Sequence, residues 1–242
     1  MENNQLLSYP IRINKYLASQ KISTRKGADE LVKNKKVFIN GKLAVLGSKV
    51  EKSDKVEVKG NKIKEYKYFA YNKPIGVETD SPKESLFPLG RLDKNSHGLL
   101  ILTDDGRITD QLLSPSYFHE KEYVVKTKEK LRSNFKQKME AGVNLDPVRG
   151  RGSLRALATS NGVGGYITRP CQVKIINENT FRVILTEGKK HQIRRMCANL
   201  FQEVADLKRE RIMNIKLGSL KSGAFREIKG EELALFLKNL DK

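Results

Sequence analysis

Three short stretches of this chain hold residues whose types and spacing could do chemistry. In GRLDKNSHGLLILTDDG, residues 90–106, Arg91 and Asp93 stand one residue apart, directly before the apolar run Leu99 to Leu102. In EGKKHQIRRM, residues 187–196, Lys189, Lys190, Arg194 and Arg195 crowd the start of a helical pattern. The helix dipole already places partial positive charge there, so these cations call for an anion, either a phosphate or a carboxylate such as Asp93. In HEKEYVV, residues 119–125, Tyr123 lies on an alternating strand pattern. Taken alone, an aspartate after Gly-Arg-Leu reads first as a turn or helix-cap residue accepting from backbone N–H groups.

Other chemistries find little support. His97 and His119 lack the partners of a nucleophilic triad or a metal site, and GVGG at 162–165 is not flanked as a dinucleotide-binding turn would be. Cys171 and Cys197 are the only cysteines, without the spacing of a zinc site, and are expected to be buried thiols.

The elements that must position these residues follow from composition and periodicity. The 242 residues hold 47 Lys+Arg against 28 Asp+Glu, a net charge of +19 that points to a polyanionic partner. With 38% hydrophobic residues the chain can bury a core, and its length suits one large domain or two of ordinary size. No run approaches the roughly 18 apolar residues of a membrane span, and MENNQLLSYP lacks the order of a signal peptide, so a cytoplasmic location is expected.

Residues 11–58 read as a small module. Ile13, Tyr16 and Leu17 share one helix face, and Ser23 is expected to cap a second helix carrying Ala28, Leu31 and Val32. KVFINGKLAVLG then predicts a hairpin turning at Asn40-Gly41. Residues 11–60 carry 13 Lys+Arg and 5 Asp+Glu, so +8 of the charge is concentrated there. KGNKIKEYK, 59–67, reads as a linker, and 68–242 as a mixed α and β domain. There EYVVKT (Tyr123, Val125, Thr127) and TFRVILT (Phe181, Val183, Leu185) alternate as strands. LRSNFKQKMEAG predicts a helix with Leu131, Phe135 and Met139 on one face, and HQIRRMCANLF another with Ile193, Met196, Cys197, Leu200 and Phe201 inward. Leu233, Phe236, Leu237 and Leu240 predict a closing helix. The Gly- and Arg-rich stretch 146–168 reads as an insertion that either contacts RNA or forms an ordinary surface loop.

Two resemblances give these patterns a meaning. RINKYLASQKISTRKGADELVKNKKVFINGK resembles the alpha-L RNA-binding domain. After it, NKPIGVETD, GRLDKNSHGLLILTDDG, HEKEYVV and EGKKHQIRRM follow in the order seen in the RsuA/RluF family of pseudouridine synthases, and RIMNIKLGSLKSGAFREI resembles its RluF-like branch. The fold this implies is α+β: a small N-terminal RNA-binding domain, then a mixed, mainly antiparallel sheet flanked by helices.

The implied activity is isomerisation of a uridine of large-subunit ribosomal RNA to pseudouridine by base flipping, with a transfer RNA anticodon stem-loop as the alternative target. The implied chain acts as a monomer, without metal or organic cofactor. On this resemblance Asp93 is the catalytic acid, as nucleophile or as base toward the sugar. Tyr123 packs on the flipped uracil and helps take the ring proton. Arg194 pairs with the aspartate, with Arg195 as second choice. Arg91 enters the RNA, and Leu185 floors the uracil. Lys189, Lys190 and Arg195, with Arg12, Lys15, Arg25 and Lys26 of the N-terminal module, meet RNA phosphates. Lys73, Pro74 and Gly76 form a rigid structural element beside the site. Read without the resemblance, Tyr123 and Leu185 equally suit a strand's inward face, and Arg91 a plain surface position. Ser96 and Asp104 depart mildly from the family's threonine and asparagine, and the insertion departs more. An RNA-binding protein with a decayed site is the competing class; the presence of Asp93, Tyr123 and Arg194 together speaks against it.

Overall fold

The computed structural model describes residues 9–20, 22–60, 66–79, 85–145 and 166–240, so most of the Gly- and Arg-rich stretch, GVGG and most of the expected linker lie outside the described residues. The chain forms two compact units, one up to residue 66 with 105–108, and one of 67–104 and 109 onward.

The first unit holds β1 (Ile11–Arg12), α1 (Ile13–Ser19), α2 (Arg25–Lys33), β2 (Val37–Ile39), β3 (Lys42–Leu43), β4 (Lys49–Val50) and β5 (Val56–Val58). The hairpin β2–β3 turns on Asn40 (φ 49°) and Gly41 (φ 77°), both in the left-handed region that a type I′ turn requires. The cap of α2 is Thr24, whose hydroxyl accepts from Gly27 N at 3.0 Å; the cap lies one residue later than expected, because Thr24 is the residue whose hydroxyl reaches the free amide of the first turn. Strands β1, β4 and β5, too short to show alternation, complete the unit around Ile11, Ile13, Leu17, Ala28, Val32 and Val37.

The second unit is built on one sheet. It comprises β6 (Tyr68–Lys73), β7 (Phe87–Leu89), β8 (His97–Thr103), α3 (Thr109–Leu113), β9 (Lys121–Thr127), α4 (Phe135–Glu140), β10 (Gln172–Asn177) and β11 (Thr180–Leu185). Then follow α5 (Gln192–Asn199), β12 (Val204–Ile212), β13 (Ile215–Lys216), β14 (Phe225–Glu227) and α6 (Gly230–Leu240). The sheet order is β10-β11-β9-β12-β8-β6-β14, with β13 on β12 and β7 on β8. Every pairing described in it is antiparallel except β8 with β12. Leu99, Leu100, Ile101 and Leu102 are all fully buried, as befits a central strand covered on both faces. Val125, Phe181, Val183 and Leu185 form the inward face on which α4 and α5 pack.

Two helices end differently from their sequence pattern. Leu131 packs on the core from a loop, because its amide donates to Glu178 O at 2.7 Å, and α4 begins only at Phe135. Phe201 does not join the inward stripe of α5. It takes φ 60° just past the helix end, where its amide bonds Ala198 O and that of Gln202 bonds Cys197 O, the Schellman pattern. Phe201 is 71% exposed, with the Arg132 guanidinium 4.8 Å from its ring centre. Among the described residues no helix is long and apolar enough to cross a membrane.

Candidate active site

Asp93 lies on the turn that joins β7 to β8, and neighbouring elements hold that turn almost atom by atom. Ser96 N donates to Asp93 O at 2.9 Å and closes it. The Thr79 hydroxyl accepts from Leu92 N at 3.0 Å and donates to Leu92 O. Gly76 N donates to Lys94 O at 2.8 Å. The buried Lys73 ammonium donates to Val77 O at 2.6 Å and Pro74 O at 3.0 Å and reaches Lys94 O at 3.5 Å. Arg209, from β12, reaches Arg91 O at 3.5 Å and donates to Leu99 O at 2.7 Å. A carboxylate on so restrained a backbone is preorganised, with little freedom left to lose when a ligand arrives.

The Asp93 turn forms one wall of a cavity of 810 Å³, within the usual range for a ligand site. Opposite stand Lys121 and Tyr123, two positions apart on β9 and hence on the same face, with Leu185 from β11 and Leu207, Arg209 and Ile212 from β12. The Arg209 guanidinium lies 6.0 Å from the Tyr123 ring centre. Gly98 lets the two parallel strands meet, since a Cβ there would stand 2.3 Å from Arg209 O.

The stretch after β11 supplies the rim. Lys189, Lys190 and His191 are exposed and line the cavity, as does Arg91 across from them. His191 Nε2 is 3.4 Å from Asp93 Oδ1, the described ion-pair contact of that carboxylate. The backbone there is anchored by Glu187, which is buried and accepts from Gln192 Nε2 at 2.6 Å, Arg169 N at 3.1 Å and the Tyr166 hydroxyl. The expected Arg194–Asp93 ion pair is not formed. Arg194 instead donates to Asn95 O at 2.7 Å, with Ser96 Oγ at 3.3 Å, two and three residues farther along the same turn. Arg195 turns the other way and donates to Leu145 O.

The profile of the RNA pseudouridylate synthase family matches residues 50–199. This chain belongs to that family. The synthase is 33% identical over 96% of its length to the dual-specificity RNA pseudouridine synthase RluF of Escherichia coli (strain K12), covering 80% of that protein. It is 32% identical over 92% of its length to the ribosomal large subunit pseudouridine synthase B of Bacillus subtilis (strain 168), covering 93% of it. A crystal structure of a pseudouridylate synthase superposes with a TM-score of 0.63 at 25% identity, covering 95% of this chain and 99% of that one. The synthase is therefore an isomerase that acts on RNA.

The structure gathers Arg91, Asp93, Tyr123, Leu185, Lys189 and Lys190 around one cavity, sets Arg194 behind the Asp93 turn, and leaves Arg195 outside the lining. Sequence reasoning passed over Thr79, Lys121, Glu187, His191 and Arg209. The signal for Lys121 was available, two positions before Tyr123 on an alternating strand. Arg209 gave none, since a charged residue in VADLKRERI looks solvated until β12 is placed at the sheet centre. Among the described residues no cluster of His, Cys, Asp and Glu could hold a metal ion.

Proposed function

We propose that this synthase isomerises one uridine of large-subunit ribosomal RNA, with Asp93 as its catalytic carboxylate. The observation that carries the reading is the Asp93 carboxylate on a clamped turn, facing a cavity that also holds Tyr123 and Leu185. The reaction must break the N1–C1′ bond, turn the uracil and join C5 to C1′, with the C5 proton leaving. Asp93 supplies the carboxylate that the sugar requires while that bond is open. Tyr123 and Leu185 enclose the ring, and the Tyr123 phenol serves the final proton transfer. Arg194 acts by holding the turn. Arg91 fills the space of the flipped base, with Lys189 and Lys190 on neighbouring phosphates.

The large-subunit target rests on the name of the Bacillus subtilis relative. The test incubates unmodified ribosomal RNA and, separately, transfer RNA with wild-type, Asp93→Ala and Asp93→Asn protein, and maps pseudouridine by chemical adduct and primer extension. Product in ribosomal RNA from the wild type alone is expected. Product from either variant overturns the role of Asp93, and product only in transfer RNA overturns the target.

The N-terminal unit is proposed to hold the RNA backbone through Arg12, Lys15, Arg25 and Lys26, all exposed. Replacing all four by Gln in the full chain should flatten the slope of log affinity against log salt by about 3, at about 0.7–0.9 for each phosphate no longer neutralised. The synthase is taken to act as a monomer, which sedimentation at assay concentrations checks.

A further inference from the structure

Lys121 stands out as a half-buried cation without a counter-charge. Its ammonium has one hydrogen-bond partner, His119 O at 3.2 Å, and among the described residues no carboxylate lies within ion-pair distance of it. Two of its three N–H donors therefore lack an acceptor among those residues, although the side chain borders the 810 Å³ cavity. The charge that acts on it is another cation, Arg209, which is 3% exposed and whose Nη2 likewise has no hydrogen-bond partner among the described residues. Withdrawing such donors from water unmet is unfavourable unless a ligand meets them. Glu120 and Glu122, the acids beside Lys121 in sequence, are taken up by Arg211 at 2.9 and 2.6 Å.

The proposed reaction supplies the missing acceptor. When the N1–C1′ bond breaks, its electron pair stays on the uracil, whose negative charge spreads onto the two ring carbonyl oxygens, and the same pair returns when C5 joins C1′. We infer that Lys121 is a further catalytic residue, whose ammonium donates to a uracil carbonyl oxygen and stabilises the detached uracil anion, with Arg209 strengthening the positive field beside it. This rests on the reading of Asp93 and Tyr123 as the active site. No proton needs to transfer, since the charge is met by hydrogen bonding.

Burial and the Arg209 charge lower the Lys121 ammonium to about 8. The other charged or titratable groups lining the cavity are Tyr123 on its own strand, Glu78, Arg91, Asp93 and Lys94 on and beside the turn, Glu187, Lys189, Lys190 and His191 after β11, and Arg209 on β12. His119 lies two residues before it, lowered by its own burial first and by Lys121 second. The charged form of Lys121 is the active one, so kcat/KM should fall as pH rises through about 8.

The experiment compares wild type, Lys121→Met, Lys121→Arg and Asp93→Ala on the same RNA from pH 6 to 10, with circular dichroism to verify folding. Lys121→Met is expected to lose about 100-fold in kcat with KM little changed, as for removal of one preorganised donor. Lys121→Arg, charged throughout, is expected to retain activity within about tenfold and to lose the fall near pH 8. A folded Lys121→Met protein with wild-type kcat, or a Lys121→Arg protein that keeps the wild-type alkaline limb, overturns the inference while an inactive Asp93→Ala protein leaves the site reading standing. Activity in Asp93→Ala overturns the site reading itself.

Discussion

The joint between β8 and β12 is where the site is most exposed to a single methyl group. Gly98 adopts φ 103°, and a Cβ there would stand 2.3 Å from Arg209 O and 2.8 Å from Arg209 N, both backbone atoms of a central strand. Neither contact can be relieved by a side-chain rotation. The backbone conformation alone is worth about 1–3 kcal/mol against a residue with a Cβ, and forcing the strands apart adds about 1–3 kcal/mol. Gly98→Ala should thus lose about 4 kcal/mol of stability, which for a chain of this size lowers Tm by roughly 8–16 °C. The displaced strand carries Arg209, which holds Arg91 O and Leu99 O, so activity should fall by more than unfolding at 25 °C explains. Gly218→Ala is the internal control: its φ is 58° and nothing lies within 4 Å of the point where its methyl group would stand, so it should lose only about 1–2 kcal/mol. Urea and thermal unfolding of both variants, with kcat of each, make the measurement. Equal stability of the two would refute the argument that backbone approach, rather than glycine conformation, dictates residue 98.

Thr79→Val leaves both Leu92 N and Leu92 O unpaired in a buried place, and should lose about 2–3 kcal/mol in urea unfolding together with a fall in kcat. Arg194→Met removes the charged donor on Asn95 O, worth about 1.5–3 kcal/mol, and should lower kcat about 10- to 100-fold with KM less affected; an unchanged kcat would show the turn to be rigid without it. Burial pushes the thiols of Cys171 and Cys197 up to about 12, so at pH 8 in the native protein both should alkylate about a thousandfold more slowly than an ordinary thiol, as mass spectrometry before and after urea would report. Lys121 also has a signed effect on stability. Its ammonium is lowered from 10.5 to about 8 on folding, so the folded state is penalised at pH 7, and the penalty fades as pH rises from about 8 to 10.5. Discounted for partial exposure, Lys121→Met should be about 2 kcal/mol more stable than wild type at pH 7 and equal to it near pH 10.5, by denaturant titration at each pH.

What the sequence determined by itself was local or carried by motif. Asn40-Gly41 specified a hairpin because the two positive φ angles it needs are a property of those residues. Alternation placed Val125, Phe181, Val183 and Leu185 on one buried face, since side-chain direction in a strand depends only on parity. Motif order singled out Arg91, Asp93, Tyr123 and Leu185, which the fold brings to one cavity. Tertiary structure decided the partners. Whether Arg194 meets the Asp93 carboxylate or the back of its turn depends on the angle at which α5 crosses the sheet, which no spacing within HQIRRM encodes. That Arg209 is buried follows from β12 pairing parallel to β8, a contact between residues more than a hundred positions apart. The same placement leaves Lys121 without an acid, because the carboxylates beside it in sequence, Glu120 just before β9 and Glu122 on the strand's opposite face, are claimed by Arg211. Hydrogen-bonding capacity is written in residue type, but which donor stays unmet in a cavity is fixed only when distant strands close around it.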